Sequence, residues 1–306
     1  MARSLNWEID GRQWPNRGRS RFIDAGGLRW HVQHWPGLFP GAPLLLLVHG
    51  TGSATHSWRR LAPLLAPHFE LLAMDLPGHG FSGPAPGGRA NPDGAGMHGM
   101  ARCVAALLSA LGARPRWVLG HSAGAAIAVR MALHGASAGA GPGWLPHGLI
   151  ALNAAMFPLP GAAGALFSPV AKLLALNPLV PHLFAWRAQT PAVVQKLLES
   201  TGSVVDAEGD RLYRLLVTNP AHVAGALAMV ARWDLPALAA DLPRLRTATH
   251  FVVGEKDGTV PPTDSARAQA LVRGSTLETL AGLGHLAHEE DPQRVADAVL
   301  KITSAS

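Results

Sequence analysis

Trp117-Val118-Leu119-Gly120-His121-Ser122-Ala123-Gly124-Ala125-Ala126-Ile127-Ala128-Val129-Arg130-Met131-Ala132-Leu133 is the stretch from which the rest of the chain can be read. A short apolar run suited to a buried strand leads into Gly120-His121-Ser122-Ala123-Gly124, and an alanine-rich helical run follows. This is a G-x-S-x-G pentapeptide in the strand–turn–helix setting that lifts a serine hydroxyl above a sheet. The neighbours must be small because the flanking backbones pass close to such a turn. Without the strand before it and the helix after it, the pentapeptide would mean little.

Outward from that stretch the pattern repeats. Short apolar runs lie at 44–48, 70–74, 148–152 and 249–253, and each is what a strand buried on both faces requires. Helix-like segments separate them. Met100, Val104, Leu107, Leu108 and Leu111 keep one helical face apolar, and Val295, Val299 and Ile302 do so near the end. Alternating strands and helices imply an α/β fold, a mostly parallel twisted sheet with helices on both faces. Leu28, Trp30 and Val32 alternate with a period of two, which predicts an antiparallel strand at the sheet edge. The alternation lapses at 156–236, where the chain is helical and punctuated by proline. The expected organisation is therefore a core of residues 1–155 and 237–306, interrupted by a helical insert at 156–236.

Composition narrows the class. The chain has 306 residues, 48% hydrophobic and 15% charged, so it can bury a full core and is not solvated disorder. Cys103 is the single cysteine, which rules out an intrachain disulfide and a cysteine-based zinc site. The net charge is +6, but the arginines are scattered rather than striped, so nucleic-acid binding is not expected. No apolar run near the start could serve as a secretory signal core. Leu166 to Trp186 approaches the length of a bilayer span, yet Lys172, Pro169, Pro178 and Pro181 interrupt it. The expectation is a cytoplasmic protein, with membrane-surface contact as the lesser alternative.

A serine hydroxyl needs a base, and the base needs an orienting acid. In this architecture both follow the serine, acid first. Asp257, in Gly254-Glu255-Lys256-Asp257-Gly258, follows the strand that ends at Val253. His285, in Gly282-Leu283-Gly284-His285, follows a further strand at Thr276 to Leu280. Glu255 is the rival acid. His288 is the rival base, although its place beside Glu289 and Glu290 reads as a solvated helix start. Acyl transfer also needs donors for an oxyanion, expected from the backbone N–H groups of Ala123 and of Thr51 in His49-Gly50-Thr51-Gly52. His49 itself reads as a structural histidine that braces this turn. Neither a G-x-G-x-x-G phosphate loop nor an H-E-x-x-H pair is present, so no cofactor and no metal are expected.

With Ser122, Asp257, His285 and the His49-Gly50 turn in this order, the chain resembles the α/β-hydrolase superfamily. Asp75-Leu76-Pro77-Gly78-His79-Gly80-Phe81-Ser82 is similar to the superfamily's D-x-P-G-x-G-x-S stretch. The resemblance runs from about Phe22 to Leu300 and implies that the insert is a lid. Three stretches resemble the hydrolases encoded with bacteriochlorophyll-synthesis genes, the magnesium-chelatase accessory proteins. They are His49 to Arg59, Leu173 to Pro181, and Ala226 to Asp234. That likeness implies a setting in tetrapyrrole metabolism without naming a substrate. Relatives that dehalogenate or open epoxides carry aspartate where Ser122 stands, which argues against both reactions. Asn153 occupies the place where other relatives carry the acid after the sixth strand, which favours Asp257.

The insert is rich in Leu, Ala, Phe and Trp. Phe157, Phe167, Phe184, Trp186 and Trp233, with Trp58 from the core, are the candidates to line a pocket for a bulky apolar group. The expected activity is serine hydrolysis of a carboxylic ester through an acyl-enzyme, the substrate being small and hydrophobic. Two alternatives stand beside it: carbon–carbon bond hydrolysis by the same triad, and a non-catalytic accessory role toward magnesium-chelatase subunits or a tetrapyrrole.

Overall fold

The computed structural model describes residues 4–87, 94–135, 145–158 and 177–304. Eight strands make one sheet: β1 (Ser20–Ala25), β2 (Leu28–Trp35), β3 (Leu44–Val48), β4 (Glu70–Met74), β5 (Trp117–His121), β6 (Gly148–Leu152), β7 (Ala248–Gly254) and β8 (Thr276–Leu280). Their spatial order is β1-β2-β4-β3-β5-β6-β7-β8. The β1–β2 and β2–β4 pairs are antiparallel and all the others are parallel.

Strand periodicity sorts the apolar residues into two layers. Leu46, Val48, Leu72, Met74 and Val118 point to one face. There they meet α2 (Met97–Ala110), α3 (Ala123–Gly135) and Ala268 of α9 (Pro262–Leu271). Leu45, Leu47, Leu71, Ala73, Trp117 and Leu119 point to the other face. These pack on α1 (Leu61–Leu65) and α11 (Pro292–Ser304). Burying one such Leu or Val side chain contributes roughly 1.5–3 kcal/mol.

The strand at Leu28–Trp35 is not at the sheet edge, as its alternation suggested. β1 lies outside it, with Ile23 opposite Trp30. The sequence of β1, Ser-Arg-Phe-Ile-Asp-Ala, shows no alternation because an edge strand half open to solvent accepts polar residues in either phase.

Between β6 and β7 the described residues are helical: α4 (Val180–Arg187), α5 (Pro191–Glu199), α6 (Ala207–Val217), α7 (Pro220–Ala231) and α8 (Leu235–Asp241). Two small clusters of their own hold α5 and α6 against Leu286 and against Trp14. From Met229 onward the chain rejoins the core layer of the sheet, with Trp233, Leu235 and Leu238. No single described helix is long and apolar enough to cross a membrane. The short α10 (Ala287–Glu290) completes the fold ahead of α11.

Candidate active site

The turn between β5 and α3 holds Ser122 at φ 52°, a left-handed conformation that costs a residue with a side chain about 1–3 kcal/mol. Close packing imposes it. A Cβ at Gly124 would stand 2.0 Å from the Val48 carbonyl oxygen, and one at Gly120 would stand 2.5 Å from the Ala125 backbone. The Ser122 N–H donates to the Leu152 carbonyl at 2.9 Å, which anchors the turn to the end of β6. Ser122 is half-buried.

The turn after β3 passes directly over this serine. A Cβ at Gly50 would lie 3.2 Å from Ser122 Cβ. Among the described residues, the N–H groups of Thr51 and Ala123 donate to no carbonyl, so both are available to a ligand oxygen. His49 braces the turn: Nδ1–H donates to the Gly50 carbonyl and Nε2 accepts from the Leu76 N–H, each at 2.8 Å. Burial lowers its pKa, which keeps the ring neutral, as this donor–acceptor pairing requires. Asp75 braces the same region from below. Its carboxylate accepts from the N–H groups of Thr55 and Phe81 and from His31 Nδ1–H. Burial opposes its ionisation, but His31 and His49 outweigh that and hold the carboxyl well below the usual range.

Asp257 and His285 stand at the ends of β7 and β8 and meet there. His285 Nδ1–H donates to Asp257 Oδ2 at 2.8 Å. The same oxygen accepts from Asn153 Nδ2 at 2.7 Å, while Oδ1 takes the N–H groups of Thr259 and Val260 at 2.8 Å each. Burial alone would raise the Asp257 pKa. The hydrogen bond and charge of His285, with the Asn153 and Val260 hydrogen bonds, reverse that and lower it. With Nδ1 committed to Asp257, Nε2 is the basic atom His285 has left. Among the described residues no hydrogen bond joins the Ser122 hydroxyl to it. The two residues are nonetheless linked through His121, whose ring centroid lies 4.8 Å from that of His285 and whose Nε2–H donates to the His285 carbonyl at 2.8 Å. Burial and the proximity of His285 push His121 down to about 3, so it stays neutral.

The rivals lie elsewhere. Glu255 accepts from the Gly282 N–H and is exposed, and it does not reach His285. His288 is not at a solvated helix start. It is fully buried, with its ring 4.7 Å from Trp58 and 4.5 Å from His121, and burial drives its pKa well down. The cause is α10, which turns inward so that Glu289 is buried as well, against Arg59 and the Tyr213 hydroxyl.

The aromatic candidates are scattered. Trp58 is completely buried in the layer below the sheet. Phe157 lies in the opposite layer under the Arg267 guanidinium, 4.1 Å from its centroid, and Trp233 is buried in that layer too. Phe184 and Trp186 face solvent at 42% and 68% exposure. Phe167 lies outside the described residues, as do the first residues of the Leu173 to Pro181 stretch. Among the described residues no group of three or more His, Cys, Asp or Glu could hold a metal.

The supporting roles of four residues escaped the sequence reading. Asn153, His121, Thr201 and His222 all hold the site in place. The Thr201 carbonyl, on the loop after α5, accepts from both Gly258 N–H and His285 N–H, so it clamps the Asp257 loop to the His285 loop. His222 on α7 joins two catalytic-side turns, accepting from the Gly80 N–H at Nδ1 (3.0 Å) and donating to the Gly52 carbonyl from Nε2 (3.1 Å). Only Asn153 had a signal, a polar residue at the carboxyl end of a buried strand.

Comparison with known proteins agrees with this arrangement. The model of the alpha/beta hydrolase family matches residues 45–298. The magnesium-chelatase 30 kDa subunit of Rhodobacter capsulatus is 35% identical, covering 90% of this chain and 91% of its own. A 2-succinyl-6-hydroxy-2,4-cyclohexadiene-1-carboxylate synthase of Salmonella schwarzengrund is 26% identical over 89% of this chain and 98% of its own. Among solved structures, a thermophilic esterase from Thermogutta terrifontis superposes with a TM-score of 0.69 at 22% identity. That superposition covers 94% of this chain and 98% of the esterase. The sheet order, the strained serine turn and the family match converge: this chain belongs to the alpha/beta hydrolase family.

Proposed function

We propose that this protein is a cytoplasmic serine hydrolase acting on the carboxylic ester of a bulky apolar substrate. Ser122 attacks the carbonyl carbon and its proton passes to His285 Nε2. Asp257 holds Nδ1–H, which fixes the tautomer and stabilises the imidazolium that forms. The Thr51 and Ala123 N–H groups receive the oxyanion. His285 then returns the proton to the departing alcohol, and water, activated by the same ring, resolves the acyl-enzyme. Residues 156–236 act as the lid over this site. The observation that carries the proposal is the 2.8 Å Asp257–His285 hydrogen bond, at the strand ends beside the Ser122 turn.

The likeness to a magnesium-chelatase subunit suggests a tetrapyrrole ester as substrate and chelatase subunits as partners. Screening p-nitrophenyl esters and tetrapyrrole methyl esters against the wild type and Ser122→Ala tests this. Release of alcohol and acid by the wild type alone is the expected result. Cleavage without alcohol release would point to carbon–carbon bond hydrolysis. The same relative's name, that of a subunit, favours a second reading, an accessory protein whose triad is idle. In that case Ser122→Ala would bind chelatase subunits as well as the wild type does, and neither would turn over any ester.

A further inference from the structure

Helix α7 has two working faces. On one, His222 and Met229 reach the turn after β3, at the Gly52 carbonyl and the Thr51 hydroxyl. On the other, Ala221, Ala224, Gly225, Ala228 and Arg232 follow the 3–4 spacing of a single helical stripe and wall a cavity of about 660 Å³, which His222 also lines where the two faces meet. The Gly78–Ser82 turn and Pro181 of α4 supply the opposite wall. Among the described residues lining it are neither Ser122, Asp257 and His285 nor Thr51. The helix is fixed tightly on the Gly78 turn, since a Cβ at Gly225 would stand 2.0 Å from the Gly78 carbonyl oxygen.

The lining is mostly proline, alanine and glycine, with Ser4, Ser82, His182, Asn219 and His222 as polar side chains beside Arg232. Among its described residues Arg232 alone carries a formal charge. Arg232 is half-buried, donates to the Ala228 carbonyl at 3.3 Å and meets no carboxylate among the described residues. A guanidinium partly withdrawn from water, with no counter-charge among the described residues, gains from an anionic group placed beside it. The cavity is also within the roughly 300–1,000 Å³ that small-molecule sites occupy.

We propose that this cavity is a second ligand site, distinct from the Ser122 centre, for an amphipathic organic anion. Its apolar body lies along the alanine stripe of α7 and its single anionic group pairs with Arg232. The site does not depend on Ser122 being reactive.

Fluorescence titration of the full chain tests it with two matched probes. They are 8-anilinonaphthalene-1-sulfonate and its uncharged counterpart N-phenyl-1-naphthylamine. The expected result is one saturable sulfonate site. Arg232→Gln should weaken the sulfonate by about tenfold, as loss of a charge-assisted hydrogen bond requires. The uncharged probe should stay within about twofold of wild type, a difference of under ~0.5 kcal/mol. Ala224→Trp, which fills the space, should weaken both probes by about tenfold or more. Circular dichroism establishes that each variant is folded, and if Ala224→Trp is not, the Arg232→Gln pair of titrations decides alone. Equal sulfonate affinity in wild type and Arg232→Gln would overturn the proposal. So would an Ala224→Trp protein that is folded and binds both probes as the wild type does.

Discussion

The loops at the carboxyl ends of the strands and helix α4 are built on different principles. The Asp257 carboxylate is held by the N–H groups of Thr259 and Val260, by Asn153 and by His285. Each bond has a direction, so the acid and the base have one arrangement. Helix α4 buries only Pro181 and Ala185 and leaves Leu183, Phe184 and Trp186 to solvent. It is placed by non-directional packing, which tolerates many substitutions. Directional hydrogen bonding thus fixes the geometry of Asp257 and His285, while loosely specified packing leaves α4 tolerant of substitution.

That contrast predicts a ranked series of effects. The largest belongs to the strand-end loops: Ser122→Ala or His285→Ala should lower turnover by about a millionfold, and Ser122→Ala should leave the melting temperature almost unchanged. Retention of more than a small residue of activity would break the comparison. Next comes Trp233→Ala, where the helical stretch rejoins the core layer. Emptying that buried site should cost about 4 kcal/mol in urea unfolding. A small loss would mean that the stretch is loose throughout.

Asn153→Leu should cost about 2 kcal/mol at neutral pH by removing a hydrogen bond to a charged group, and a further pH-independent cost of roughly 1 kcal/mol because residue 153 is left-handed at φ 47°. The sign of its pH dependence follows from the lowered Asp257 pKa. Stability from this carboxylate is present above the ordinary carboxyl pKa and is lost as pH falls through the lower folded value. The gap between wild type and Asn153→Leu should therefore narrow in acid to its pH-independent part, as unfolding curves at successive pH values would show. The smallest effect is expected of Trp186→Ser, within about 0.5 kcal/mol in stability and without change in kcat. A large rise in KM would sharpen the comparison by showing that this exposed ring meets the substrate.

The same contrast explains what could be read from sequence. β3, β5, β6 and β7 were legible because a strand buried on both faces leaves a short, largely apolar run. Ser122, Asp257 and His285 could be singled out because a residue just past such a strand stands at the carboxyl edge of the sheet whatever its neighbours are. β1 was invisible, since a half-exposed edge strand imposes no alternation. Trp58, Phe157 and Trp233 are apolar residues that suit a pocket or a core equally well, and only the packed chain puts them in the core. His288 misled because its acidic neighbours suggest solvent, whereas α10 turns inward and buries it against Trp58. His121, Thr201 and His222 act through backbone groups far away in sequence, which no local pattern records.

The central claim is that Ser122 is an activated nucleophile served by His285. Treating the folded protein with a fluorophosphonate and mapping the adduct by mass spectrometry tests it most directly. The account predicts one adduct, on Ser122, absent from Ser122→Ala and from His285→Ala. A wild type that stays unlabelled at Ser122, or a His285→Ala protein labelled as fast as wild type, would contradict it.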